Sequence, residues 1–348
     1  MKNPIINYLL FTLFFISACS SPQKNENDFK YFSEQFSDIK ILRYQVPGFD
    51  ELSLSQKKLV YYLTQAGLAG RDIMYDQNYR HNVSIRTALE NIYKNYNGDK
   101  SIDDWKQFET YLKRIWFSNG IHHHYSNDKH EPGFSINYLE SLLNETNSTL
   151  EKEAFDVIFN EEDNKKVNLD ASKGLIKGSA VNFYGPNVTA EDVDFYYSEI
   201  KKVPNLKKPI SLGLNSKLIK EDGKLVEKVW KLGGMYSDEI EKIIYWLNKA
   251  VEFAENDKQK QGLELLIKYY ETGDLNIWDE YNVVWVETIE GDVDYINGFI
   301  EVYNDPKGYR GSYESVVQIK DFAMSKKMDA VSNNAQWFED NSPILKEH

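Results

Sequence analysis

The run Phe299-Ile300-Glu301-Val302-Tyr303-Asn304-Asp305-Pro306 sets a carboxylate and a phenol two residues apart. Read as one strand from Val293 to Tyr303, it places Val293, Tyr295, Asn297, Phe299, Glu301 and Tyr303 on a single face. Glu301 and Tyr303 then emerge together at the strand's end, just before a Pro-Gly loop that contains Arg310 and Gly311. A carboxylate held there can take up a free α-ammonium by charge-assisted hydrogen bonds. A phenol can donate to a developing oxyanion. The same pattern also suits a solvated strand face that ends in a turn.

His122-His123-His124, with His130 close behind, comes nearest to a metal cluster. Consecutive side chains diverge on any regular backbone, so a polar loop is expected there rather than a zinc site. His130-Glu131-Pro132 begins like a zinc-protease helix but lacks the second histidine four residues on, and Pro132 disturbs such a helix. The chain has no GxGxxG or GxxxxGK phosphate loop and no GxSxG elbow.

The single cysteine, Cys19, ends the run Ile16-Ser17-Ala18-Cys19, behind Lys2 and an apolar stretch from Ile5 to Ile16. This reads as a secretory signal over residues 1–18, cut at a bacterial lipobox that leaves Cys19 as a lipidated first residue. An ordinary signal peptide with an incidental cysteine is the other reading. Residues 19–30 then form a polar tether. The expectation is an extracytoplasmic protein, lipid-anchored to a bacterial membrane in the periplasm or outer membrane.

These residues need a scaffold. Ser55–Gly70 carries Leu59, Tyr62, Leu63, Ala66 and Ala69 at helical spacing. Ser101-Ile102-Asp103-Asp104 reads as a capping box before the stripe Trp105, Phe108, Leu112, Ile115 and Trp116, and Thr189-Ala190-Glu191-Asp192 opens a short helix similarly. Ser237 is expected to cap a helix facing inward through Ile240, Ile243, Ile244 and Leu247, and a further helix from Asp257 to Thr272 stops at Gly273. Strands are expected over Ser211–Lys220 and Lys224–Trp230 around an Asp222-Gly223 turn, and over Tyr281–Thr288. From Gly311 the spacing of Val316, Ile319, Phe322 and Ala323 turns helical again. Helices on both sides of a modest sheet give an α+β class.

Composition bounds what this scaffold can serve. A length of 348 residues suggests two domains as a soft prior. Lys plus Arg is 41 against 54 Asp plus Glu, a net charge of −13, which argues against nucleic acid or an anionic membrane face as partner. Seven Trp, 24 Tyr and 18 Phe are far too many for a disordered acidic chain. One cysteine excludes both a disulfide scaffold and a thiolate metal cluster.

Asn297–Ser315 (NGFIEVYNDPKGYRGSYES) closely resembles the dipeptidyl-peptidase III family of zinc exopeptidases, especially its bacterial branch. Gly67–Asn78, Ile115–Tyr125, Leu212–Val226, Gly233–Trp246, Tyr270–Trp285 and Asn334–Pro343 resemble it in the same order. The resemblance implies two lobes about a cleft, one mixed with a small β-barrel and one helical and zinc-bearing, and release of dipeptides from the N-termini of short peptides. It implies that Glu301 binds the substrate's free ammonium, that Tyr303 steadies the tetrahedral intermediate, and that Glu314 adds a further acid to that subsite. The family's HExxGH and EExxR/K-type zinc motifs are absent, and the histidines are His81, His122, His123, His124, His130 and His348. The expected layout is therefore a lobe with a β-barrel over residues 31–311 and the start of a second helical lobe over 312–348, the zinc-bearing lobe being largely missing. A helix from Tyr313 to Phe338 would leave Met328, Trp337 and Phe338 exposed. No metal ligand is expected in this chain, and alone it is expected to be inactive. It would be the N-terminal half of a dipeptidyl-peptidase III-like enzyme, from a truncated or a split gene (the latter leaving a separately encoded zinc lobe as partner), a non-catalytic peptide-binding lipoprotein, or a remnant without activity.

Overall fold

The computed structural model describes residues 29–160, 165–201 and 211–344, so the signal segment, Cys19, most of the tether and His348 lie outside the described residues. The chain divides into two units, one ending at Gln45 and the other beginning at Val46. Within the first, β1 (Phe32–Phe36) and β2 (Ile39–Leu42) form an antiparallel hairpin.

The second unit is built on helices whose apolar residues recur every three or four positions, so each helix has one face to bury. Six helices come first: α1 (Leu54–Ala69), α2 (Arg71–Asn78), α3 (Asn82–Asn95), α4 (Asp103–Ser118), α5 (Ile136–Glu145) and α6 (Lys152–Phe159). Next come α7 (Ala190–Lys201), the strands β3 (Ser216–Glu221) and β4 (Lys224–Val229), and α8 (Ser237–Val251), α9 (Asp257–Thr272) and α10 (Leu275–Glu287). The strands β5 (Val293–Phe299) and β6 (Tyr313–Ile319) precede the short helices α11 (Phe322–Ser332) and α12 (Ala335–Asp340).

Two apolar cores result. One joins Leu59 and Leu63 of α1, Ile243 and Leu247 of α8, and Leu263 and Leu266 of α9 to Leu218 of β3 and Phe299 of β5. The other joins Ile85 and Leu89 of α3, Phe108 and Leu112 of α4, Leu142 of α5 and Ile158 of α6. Several local signals act as expected. Thr189 and Asp192 exchange hydrogen bonds before α7, while the Ser53–Gln56 exchange that opens α1 lies just ahead of the helix expected from Ser55. Gly273 ends α9 at φ 71°, and Asp222 (φ 49°) and Gly223 (φ 75°) supply the left-handed pair that turns β3 into β4.

Other expectations are corrected. The strands form three separate two-stranded antiparallel sheets, with no closed barrel among the described residues. Neighbouring backbone touches the hairpins, as where Gly311 N donates to Leu214 O at 2.8 Å, but such single bonds do not join one sheet to the next. Tyr281–Thr288, rich in β-branched residues, is helical as far as Glu287. Asp274 caps that helix by accepting from Asn276 N at 2.9 Å, and packing of Ile277, Trp278 and Tyr281 into the first core overrides the β propensity. The helix expected from Gly311 is strand β6, because it pairs with β5 along its whole length and Tyr313, Ser315, Val317 and Ile319 alternate onto the less exposed face of that ladder. Ser101 does not cap α4: its hydroxyl donates to Asp99 and Ile102 takes the cap position. Ser237 accepts from Gly233 N, and Tyr236, at φ 63°, precedes α8 instead. The expected helix to Phe338 is thus one strand followed by α11 and α12, which bury no residue and leave Met328, Trp337 and Phe338 exposed.

Candidate functional site

The β5–β6 ladder runs from Val293↔Ile319 to Phe299↔Tyr313. Two more bonds carry the pairing outward: Ile300 N to Ser312 O at 3.0 Å and Ser312 N to Glu301 O at 2.9 Å. There the chain leaves the strand. Asp305 N donates to Val302 O at 3.0 Å, closing a tight turn with Tyr303 and Asn304 at its two corners. The sequence expectation of one strand through Tyr303 is corrected: Val293, Tyr295, Asn297 and Phe299 are buried, whereas Glu301 and Tyr303 are exposed because the sheet has ended.

The loop beyond the turn is anchored from below. The buried Asp305 carboxylate accepts from the Tyr184 hydroxyl at 2.7 and 2.9 Å, and from the backbone N–H of Lys307, Tyr309 and Arg310 at 2.9 Å each. Arg310, wholly buried, donates to Tyr197 Oη at 2.6 Å, Tyr184 Oη at 3.3 Å and Ser216 O at 3.3 Å. Its guanidinium lies 4.6 Å from the Tyr184 ring centre and 5.1 Å from that of Tyr197. Tyr197 in turn donates to Glu227. A buried cation is tolerable only when its donors are met, and here rings, hydroxyls and a nearby carboxylate meet them.

The opposite rim is fixed by α2. Gln77 donates to Gly311 O at 3.1 Å and accepts from Tyr313 N at 2.8 Å. Tyr313 reaches under α1, its hydroxyl 3.2 Å from the carbonyls of Ala66 and Gly67. This approach requires Gly70, where a Cβ would stand 2.1 Å from Tyr313 Cζ. Glu314 follows, half-buried and paired across the ladder with Gly298.

Glu301, Tyr303 and Glu314 are thereby brought within electrostatic reach of one another. Burial, and then the Glu301 charge, push the Glu314 carboxyl above the ordinary glutamate value. Burial raises the Tyr303 phenol, as do Glu314, Glu301 and Tyr125, so it stays protonated and able to donate at neutral pH. Two mutually repelling carboxylates with a protonated phenol form a place where an entering cation relieves repulsion.

Three histidine rings lie near one another, His123 being 4.5 Å from His124 and 5.9 Å from His130. His122 is buried edge-on to Tyr79, and His130 Nε2 lies 3.1 Å from Ser118 Oγ. No group of three or more His, Cys, Asp or Glu that could hold a metal occurs among the described residues. Cys19, the expected lipidation site, lies outside them. Sequence reasoning missed Asp305, Tyr184, Tyr197, Glu227 and Gln77. Asp305-Pro306 was a usable turn signal, but its distant partners carried none.

Residues 181–347, a span that holds this whole hairpin mouth, match the family described as Peptidase family M49. More particularly, the chain is 31% identical to "Dipeptidyl peptidase 3" of Homo sapiens over 103 residues, 30% of this chain and 14% of that protein. It is 29% identical to "Dipeptidyl peptidase 3" of Dictyostelium discoideum over 110 residues, 32% of this chain and 16% of that one. In fold it is similar to dipeptidyl-peptidase III from Caldithrix abyssi, with a TM-score of 0.59 at 20% identity over 88% of this chain and 46% of the other. The enzyme from Corallococcus sp. strain EGB gives 0.56 at 18% identity, over 86% and 45%. These matches make the chain similar to Peptidase family M49 over residues 181–347 and to dipeptidyl-peptidase III structures in fold, and it spans less than half the length of those solved structures.

Proposed function

We propose that this chain supplies the peptide-end subsite of a dipeptidyl-peptidase III-type exopeptidase, binding short peptides by their free N-terminus. Glu301 and Glu314 receive the α-ammonium. Tyr303, protonated at neutral pH, donates its hydroxyl to the carbonyl oxygen on which negative charge develops during hydrolysis. The observation that carries this is the convergence of the carboxylates and the phenol at one hairpin mouth, within the span matched to a peptidase family. In such enzymes a bound zinc would polarise the attacking water. The described residues do not fit that ion, since no three candidate ligands stand together, and this chain's share is binding and charge stabilisation.

Calorimetry with trialanine and N-acetyl-trialanine tests the proposal. Acetylation removes the cation and is expected to weaken binding about tenfold or more, from the ~1.5–3 kcal/mol of a hydrogen bond to a charged group. Glu301→Gln should weaken the free peptide similarly and barely affect the acetylated one. Equal losses for both refute the assignment. The chain alone is expected neither to retain stoichiometric zinc nor to cleave dipeptidyl-arylamides, as a non-catalytic peptide-binding protein also would. One tightly held zinc per chain with chelator-sensitive turnover would overturn that. A lipid anchor at Cys19 is a separate proposal resting on its lipobox; absence of palmitate labelling at Cys19 defeats it.

A further inference from the structure

The turn that carries Tyr303 is held twice. From below, Asp305 fixes its last residue through five contacts, and Arg310 packs beneath them. From the side there is one further bond: Asn304 Nδ2 donates to Ser312 Oγ at 2.9 Å. Asn304 sits at the corner next to Tyr303. Ser312, 8% exposed, sits two residues before Glu314, and its backbone N–H already pairs with Glu301 O. The amide therefore crosses the open end of the hairpin and ties the turn bearing Tyr303 to the strand bearing Glu314. A side-chain bond separate from the Asp305 anchor, spanning the groups that must act together, has the character of a positioning contact.

We propose that Asn304 is a positioning residue of this site: clasped to Ser312, it sets the Tyr303 hydroxyl and the Glu301 carboxylate against Glu314 at the hairpin mouth. This rests on the peptide-end function proposed above for its use, and on the geometry alone for the clasp itself. Without the clasp the turn still forms over Asp305, but its corner swings about that anchor and the three groups lose their fixed separation.

The test uses the full chain with [13Cζ]-tyrosine, the Tyr303 signal being assigned by its loss in Tyr303→Phe. In the wild-type background Glu314→Gln should lower the Tyr303 titration midpoint, because it removes one of the charges that raise it. In Asn304→Ala that Glu314→Gln effect should fall to less than half, and in Ser312→Ala likewise. In the peptide arm, each single variant should cut the preference for trialanine over N-acetyl-trialanine about fivefold, the effect of one neutral hydrogen bond, and the double variant should lose no more. Thermal midpoints should hold within about 2 °C, since the Asp305 anchor is untouched. An unchanged Glu314-to-Tyr303 coupling in Asn304→Ala, or additive losses in the double variant, overturns the clasp. A wild-type chain that binds both peptides equally refutes the peptide-end function instead, while the titration arm still decides the clasp.

Discussion

Arg310→Met tests the foundation of the site. Arg310 is fully buried, and three hydrogen bonds and two aromatic faces surround its guanidinium, with the Glu227 carboxylate 3.9 Å away. Removing one partner of a buried charged network costs about 3–5 kcal/mol, because the remaining charge and acceptors are left uncompensated. Asp305 retains its Tyr184 and backbone donors, so the lower end applies, about 3 kcal/mol. Arg310→Lys should recover only part of this, since one ammonium cannot fork between Tyr197 Oη, Tyr184 Oη and Ser216 O. Lys307→Ala serves as the control. Lys307 pairs with Asp194 at 2.7 Å, but Asp194 is 62% exposed, and such surface pairs are worth about 0–1 kcal/mol. Urea unfolding followed by tryptophan fluorescence reads the difference as a shift in midpoint at constant slope. A loss for Arg310→Met no larger than that for Lys307→Ala would refute the claim that the buried cation holds the loop.

Three further perturbations follow from the same geometry. Glu314 is raised in the fold, so the stability its protonated form supplies is present below the ordinary value of 4.5 and lost as pH rises through the folded value; Glu314→Gln should stabilise the chain at pH 7 with the gain vanishing towards pH 4, and a gain equal at both pH values counts against it. Gly70→Ala would set a Cβ 2.1 Å from the Tyr313 ring and should cost about 2–3 kcal/mol in urea unfolding, with a neutral result showing that α1 and β6 do not meet as described. Tyr313→Phe deletes the hydroxyl beneath the carbonyls of Ala66 and Gly67, and also removes a partner of Asn297, so a loss of about 1–2 kcal/mol is expected and an unchanged midpoint would contradict those bonds.

Much of the fold was legible where local chemistry decides it. The Asp222-Gly223 turn, the Gly273 stop and the helix opened by Thr189 and Asp192 are set by residues within four positions of each other. It failed where packing decides. YNVVWVET has the composition of a strand, yet α10 lies along α9 and buries Ile277, Trp278 and Tyr281, so the tertiary gain outweighs propensity. Val316, Ile319 and Phe322 have helical spacing, yet β5 offers a seven-residue ladder to Tyr313–Ile319, and the period of two wins. The closed barrel that is not seen among the described residues is of the same kind: closure depends on pairing between hairpins, which no single stretch of sequence encodes.

The candidate residues reach the surface for a reason different from the one strand alternation offers. Glu301 and Tyr303 share parity with buried Val293, Tyr295 and Phe299, and an unbroken strand would have carried them towards the core. They reach solvent because the ladder stops and the chain bends back at Asp305, whose carboxylate holds the loop beneath them. Its grip comes from Tyr184, which lies 121 positions away, while Arg310 draws on Tyr197 from 113 positions and Ser216 from 94. No local pattern predicts which tyrosine fills a space that far off. Resemblance could mark Glu301, Tyr303 and Glu314 because their types and spacing recur in one segment. The anchor beneath them becomes visible only when α7, β3 and the turn before β6 are seen to meet at one buried guanidinium. It follows that Tyr184→Phe or Tyr197→Phe, though outside the motif, should weaken trialanine binding by loosening that anchor, and calorimetry showing unchanged binding in both would refute it.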